Sequence, residues 1–169
     1  PMRTHMDGVG AALSRGGAIA NACASEGIKH AIPELGIMIE TPAGVFSADR
    51  FAVRLDFLSI GTNDLTQYVM AADRENNAVA DLHDPLYPAV LRAIDYAVTA
   101  ADKHDAWVGM CGEMAGNPEL TELLIGLGLD ELSMSAVSVP AVKKQVINTD
   151  THSAKELAAD VLNCQSRED

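Results

Sequence analysis

The chain has 169 residues, 48% of them hydrophobic, and carries 24 acidic against 12 basic residues for a formal charge of −12. This is enough for one domain with a sizeable core and argues against disorder, while so acidic a surface repels phosphate backbones and argues against nucleic acid as a partner. No segment approaches the roughly 18 consecutive apolar residues a membrane helix needs, and Pro1-Met2-Arg3 does not open a basic, apolar signal.

Residues 5–26 read as a helix, weakened by Gly8, Gly10, Gly16 and Gly17, each costing roughly 0.8–1 kcal/mol against alanine. Leu35–Glu40 is the first short apolar run, and Pro42 suits the first turn of a helix over Ala43–Leu55. Phe57–Gly61 is the second run. Ala89–His104 sets Val90, Ile94, Ala97, Val98 and Ala101 at spacings of three and four, the mark of a helix. Trp107–Cys111 is the third run. Asn117 then caps a helix over Pro118–Leu127, with Leu120, Leu123, Leu124 and Leu127 on one face. Glu131–Ser135 is the fourth run, and helices over Pro140–Ile147 and Ala154–Leu162 close the chain. The four runs are mostly apolar without strict alternation, as expected of parallel strands buried on both faces. No linker interrupts them, so residues 1–169 form one domain.

Strand-helix repetition implies an α/β fold with a parallel sheet, either doubly wound or a (β/α)8 barrel. Four strands are too few for a whole barrel, which takes about 250 residues. The pattern alone leaves both options open.

The polar residues fall at equivalent places. Glu40 ends the first strand, Thr62-Asn63-Asp64 follows the second, Cys111-Gly-Glu113 ends the third, and Ser133 and Ser135 end the fourth. In parallel α/β folds these strand ends share the face on which active sites are built. Capping of strand ends accounts for the serines, but a carboxylate directly after Ile37-Met-Ile39 needs a partner or a cation. Glu40 and Asp64 are hard oxygen ligands, and Mg²⁺ is commonly held by one or two carboxylates with water and substrate oxygens at ~2.0–2.1 Å. Cys23, Cys111 and Cys164 are odd in number and form no CxxC pair, which fits a reducing cytoplasm better than a disulfide framework or a zinc site. The excess of carboxylates fits an ordinary solvated acidic face or a salt-adapted proteome.

Ser59-Ile-Gly-Thr-Asn-Asp-Leu-Thr-Gln67 is the most specific segment: Gly61 permits a tight turn, and the N–H groups of residues 62–64 lead into a helix start, a natural phosphate cradle. This nonapeptide resembles the signature of the phosphoenolpyruvate-utilising enzymes, the family of enzyme I of the bacterial sugar phosphotransferase system, phosphoenolpyruvate synthase and pyruvate phosphate dikinase. Gly109-Met-Cys-Gly-Glu-Met-Ala-Gly116 resembles the enzyme I branch more closely than the other two. Gly36-Ile-Met-Ile-Glu40, Ala71-Ala-Asp-Arg-Glu-Asn76 and Asp84-Pro-Leu-Tyr-Pro-Ala-Val-Leu91 also match it, so the resemblance covers about residues 30–160.

The resemblance implies the C-terminal half of a TIM (β/α)8 barrel, with Pro1-Met2 at the end of the family's fourth barrel strand. It implies that Glu40 and Asp64 bind Mg²⁺, that Asn63, Asp64 and Arg74 contact the substrate phosphate, and that Cys111 is the general acid. It further implies phosphoenolpyruvate and pyruvate as substrate and product, a histidine-containing phosphocarrier protein as acceptor, and a cytoplasmic homodimer. Tyr87 stands where enzyme I sequences usually have histidine, and Gly44 replaces a common alanine. The family's phosphoryl-accepting histidine lies in a separate N-terminal domain within a Gly-Gly-x-x-Ser-His-x-Ala-type motif. None of His5, His30, His83, His104 and His152 sits in one, so the expectation is a fragment without turnover of its own.

Overall fold

The four apolar runs become a single sheet because each is too short to bury itself as a helix, while the stretches between them carry helical periodicity. A computed structural model of the chain describes residues 6–166. The order is α1 (Met6–Ser25), β1 (Gly36–Ile39), α2 (Pro42–Val45), α3 (Ala48–Ala52), β2 (Phe57–Gly61) and α4 (Thr62–Met70). A 3₁₀ segment (Asn77–Leu82) leads to α5 (Pro88–Asp102) and β3 (Trp107–Cys111). A second 3₁₀ turn (Pro118–Leu120), α6 (Thr121–Gly126), β4 (Glu131–Ser133), α7 (Val139–Asn148) and α8 (Thr151–Asn163) complete it. His5, at the edge of the first expected helix, and Pro1-Met2 lie outside the described residues. None of the helices in the described part is long and apolar enough to cross a membrane.

All four strands are parallel and lie in the order β1-β2-β3-β4, so the chain advances in one direction and never reverses as a doubly wound sheet does. The register sets Gly36, Phe57 and Trp107 in one row, Met38, Ser59, Gly109 and Glu131 in the next, and Gly61, Cys111 and Ser133 in the row at the C-terminal ends. The expectation of strands buried on both faces is corrected here. Ile37, Ile39, Leu58, Ile60, Val108 and Met110 are buried, whereas the alternate residues Met38, Phe57, Ser59, Trp107, Glu131 and Ser133 are half-buried or exposed. One face packs against helices and supplies the core with Val45, Phe51, Leu65, Val90, Ile94 and Leu124. On the other face Phe57 and Trp107 stack at 4.3 Å, and the Trp107 indole N–H donates to Glu34 Oε2 at 3.1 Å.

Two expected helices are broken for identifiable reasons. Ala43–Leu55 is two short helices, α2 capped by Thr41 Oγ1 and α3 restarting after Ser47. In one straight helix Val45 and Phe51, six residues apart, would lie about 120° apart around the axis; the break lets both enter the core. Pro118–Leu127 begins as a 3₁₀ turn under the Asn117 cap before α6 forms. α1 is continuous despite its glycines, yet only Gly8 and Val9 of it are buried, and a Cβ at Gly16 or Gly17 would meet open space. Gly16→Ala and Gly17→Ala are therefore each expected to stabilise the chain by about 0.5–1 kcal/mol, read as a rise in thermal midpoint.

Candidate active site at the C-terminal ends of the strands

The site begins with a glycine. Gly61 ends β2, and a Cβ there would lie 2.7 Å from Glu40 Cγ and 2.8 Å from Glu40 Oε1, so the Glu40 side chain can cross the end of β2 only because Gly61 has none. α4 starts at the next residue and sends Asp64 towards that carboxylate. Burial raises the Glu40 pKa above the ordinary carboxylate range, and the neighbouring Asp64 charge raises it further. Two acids thus face each other from β1 and α4.

Asp64 has a cation on its other side. Arg74 Nη1 is 3.7 Å from Asp64 Oδ1, and both side chains are about half exposed. The backbone brings Arg74 there by ending α4 at Ala71 in the left-handed region (φ 52°), after which the Arg74 N–H donates to Gln67 Oε1 at 3.2 Å.

β3 delivers the thiol. Cys111 is half-buried and pairs in register with Gly61 and Ser133. Burial raises its pKa, and the charges of Glu40, Glu131 and Asp64 act in the same direction, opposed by a hydrogen bond with Ser59. The thiol is therefore held protonated at neutral pH. The Thr62 hydroxyl donates to the Cys111 carbonyl at 3.1 Å and fastens the start of α4 to the end of β3. Gly112 follows with φ +106°, and a Cβ on it would meet Thr62 Oγ1 at 2.5 Å and Asn63 Oδ1 at 3.2 Å. Beside it opens a depression of about 550 Å³ lined by Asn63, Gly112, Glu113, Ser133, Ser135 and Ser138, among others.

Glu40, Asn63, Asp64, Arg74 and Cys111 thus meet at one end of the sheet. Among the described residues no group of three or more histidine, cysteine or acidic side chains is arranged as a metal cage; Glu40 and Asp64 stand as a pair. Sequence reasoning missed His83, whose Nε2 lies 3.1 Å from the Asn63 carbonyl, and Glu131, whose carboxylate accepts from Ser133 Oγ at 2.6 Å. Period-two alternation in β4 was the available signal for Glu131, since it shares a face with Ser133; nothing local marks His83. Tyr87, the departure from the family pattern, donates through its hydroxyl to the Asp81 carbonyl at 3.2 Å and closes the loop ahead of α5.

A model of the phosphoenolpyruvate-binding domain of phosphoenolpyruvate-utilising enzymes matches residues 1–151. A protein named phosphoenolpyruvate-protein phosphotransferase from Haloferax volcanii is 62% identical over 143 residues, covering 85% of this chain and 25% of its own. A multiphosphoryl transfer protein from Escherichia coli is 45% identical over 145 residues, 85% of this chain and 17% of its own. A phosphoenolpyruvate-protein phosphotransferase from Buchnera aphidicola is 47% identical over 129 residues, 76% and 23% respectively. The chain spans a quarter or less of the length of these relatives. With its match to the model of their phosphoenolpyruvate-binding domain and an identity of 62% to a curated relative, the chain belongs to the phosphoenolpyruvate-utilising enzymes.

Proposed function

We propose that this chain is the C-terminal half of a phosphoenolpyruvate-binding (β/α)8 barrel, serving a cytoplasmic phosphoenolpyruvate-protein phosphotransferase. The single-direction strand order and the uncovered second face of the sheet support the half barrel. In the whole enzyme, the phosphoryl group leaves phosphoenolpyruvate for a histidine nitrogen, and the enolate of pyruvate takes a proton at C3. The phosphoryl group then passes to a histidine-containing phosphocarrier protein. The names of the relatives from Haloferax and Buchnera support this reading over a dikinase or synthase. No histidine of this sequence stands in the family's accepting motif, so the acceptor lies outside it. An apolar groove of about 460 Å³ between α1 and residues 30–35, with Ile19 and Ile32 exposed, supports self-association.

The convergence of an acid pair, an arginine and a protonated thiol carries the proposal. Two opposed carboxylates, that of Glu40 with its pKa raised by burial and by the Asp64 charge, fit a divalent cation, and Glu40 and Asp64 would hold Mg²⁺. Bound there, Mg²⁺ would neutralise charge on the phosphoryl and enolate oxygens. Asn63, the first N–H groups of α4 and Arg74 would orient the phosphate, Arg74 through its planar fork. Cys111 would supply the C3 proton.

Phosphoenolpyruvate binding followed by ³¹P NMR tests this. The expected result is binding with Mg²⁺ that weakens at least about tenfold without the ion or in Glu40→Ala, as loss of a charge-assisted contact requires. Absence of binding by the folded chain, or metal dependence that survives in Glu40→Ala, would reject the metal assignment for this segment.

A further inference from the structure

The stretch from Ala71 to Tyr87 leaves α4, runs through the 3₁₀ segment and re-enters at α5. Beyond the Ala71 and Ala72 N–H groups that donate to the Gln67 carbonyl where α4 ends, three contacts tie it to α4: Arg74 N–H to Gln67 Oε1 at 3.2 Å, Arg74 Nη1 to Asp64 Oδ1 at 3.7 Å, and His83 Nε2 to the Asn63 carbonyl at 3.1 Å. The first rests on a flexible side chain. The second is a half-exposed ion pair, which contributes too little to order a loop. The third differs from both, because a half-buried ring reaches a backbone carbonyl in the first turn of α4. A carbonyl oxygen only accepts, so the Nε2 of His83 carries the proton whether the ring is neutral or charged. The loop is braced across His83 by Tyr87 Oη donating to the Asp81 carbonyl at 3.2 Å, and just after it by the Leu86 N–H donating to Asp84 Oδ1 at 2.9 Å.

We propose that His83 is a positioning residue: its Nε2–H pins the 71–87 stretch onto Asn63 and so keeps Arg74 against Asp64. The functional consequence rests on the reading of Asn63, Asp64 and Arg74 as phosphate contacts, while the pinning itself does not. His83 need not touch substrate. It sets where Arg74, the one arginine paired with Asp64 among the described residues, can stand.

Backbone amide exchange on the full 169-residue chain tests the pinning without any ligand. Arg74 and Asn76 report directly, since their N–H groups donate to Gln67 Oε1 and the Asp73 carbonyl. His83→Leu keeps bulk and removes the donor; it is expected to speed exchange at both amides by about fivefold or more, with β2 and α5 unchanged. His83→Gln restores an N–H near the Nε2 position and is expected to restore wild-type protection. Unchanged exchange in His83→Leu, or no recovery in His83→Gln, overturns the proposal. Phosphoenolpyruvate affinity with Mg²⁺ is expected to follow the same order, weaker in His83→Leu and recovered in His83→Gln. Wild-type chain that binds no phosphoenolpyruvate would instead overturn the substrate reading, and the exchange rates would still decide the role of His83.

Discussion

Cys111→Ala is expected to lower phosphoryl transfer from phosphoenolpyruvate by about 10²–10⁴-fold when this chain replaces the matching segment of the Haloferax volcanii relative. The same variant is expected to change phosphoenolpyruvate affinity by less than about threefold. The reasoning starts from position: Cys111 ends β3, opposite Gly61 and Ser133, within reach of the charges of Glu40 and Asp64. In the proposed role a proton would move from the thiol to carbon only as the phosphoryl group departs, so the interaction would exist in the transition state and scarcely in the ground state. Its loss therefore falls on turnover. Cys111→Ser keeps the size but offers a far weaker acid, and it is expected to recover little of the rate. Pyruvate release measured at saturating phosphoenolpyruvate separates these cases. A loss below about tenfold would remove Cys111 from the role of donor.

The pH dependence has a definite sign. Burial and the surrounding carboxylates raise the thiol pKa, and in the proposed role the protonated form is the donor. Turnover is thus retained through neutral pH and falls as pH rises through the raised thiol pKa. Glu40 is the largest charge acting on the thiol in the metal-free chain, so Glu40→Gln is expected to lower the pH at which the Cys111 thiol ionises there, read from the pH dependence of its alkylation without Mg²⁺.

The strands, and the placement of the candidate site residues at their C-terminal ends, were legible because each strand is bounded by residues that cannot stay in the core. Glu40 after Ile39 and Asn63-Asp64 after Gly61 mark strand ends at a polar face whatever the fold. The full extent of α4 was harder to read. Thr62, Asn63 and Asp64 favour turns and caps over helix interiors, and only packing by Leu65 and Thr66 carries the helix on to Met70. The break between α2 and α3 depends on Val45 and Phe51 seeking one core, which no local propensity encodes. The meeting of Glu40 with Asp64 across Gly61 is equally non-local, and so is the contact between His83 and Asn63, twenty residues apart. The uncovered sheet face was misread because mostly apolar strands resemble strands buried on both sides; Ser59, Glu131 and Ser133, the polar members of the alternation, were the signal.

Gly112→Ala is expected to destabilise the chain by about 2–6 kcal/mol and to lower its thermal midpoint by roughly 5–25 °C. Two costs add. At φ +106° an L residue sits in backbone space that only glycine enters freely, a strain of about 1–3 kcal/mol. The new Cβ would also lie 2.5 Å from Thr62 Oγ1, and Thr62 is buried, so moving it breaks the bond to the Cys111 carbonyl and strands a hydroxyl at a cost of about 1–3 kcal/mol. The Thr62 Oγ1–Cys111 carbonyl bond fastens the start of α4 to the end of β3, so the damage reaches function before it unfolds the chain. Asn63 is displaced as well, its Oδ1 being 3.2 Å from the same Cβ position. Phosphoenolpyruvate affinity in the Gly112→Ala chain is accordingly expected to fall even at temperatures well below its midpoint. Thr62→Ala provides the control: it removes the hydroxyl and the collision together, so Thr62→Ala with Gly112→Ala is expected to cost less than the sum of the two single changes, in a double-mutant cycle read by thermal denaturation. Additive costs would mean that Gly112 is required for its backbone angle alone.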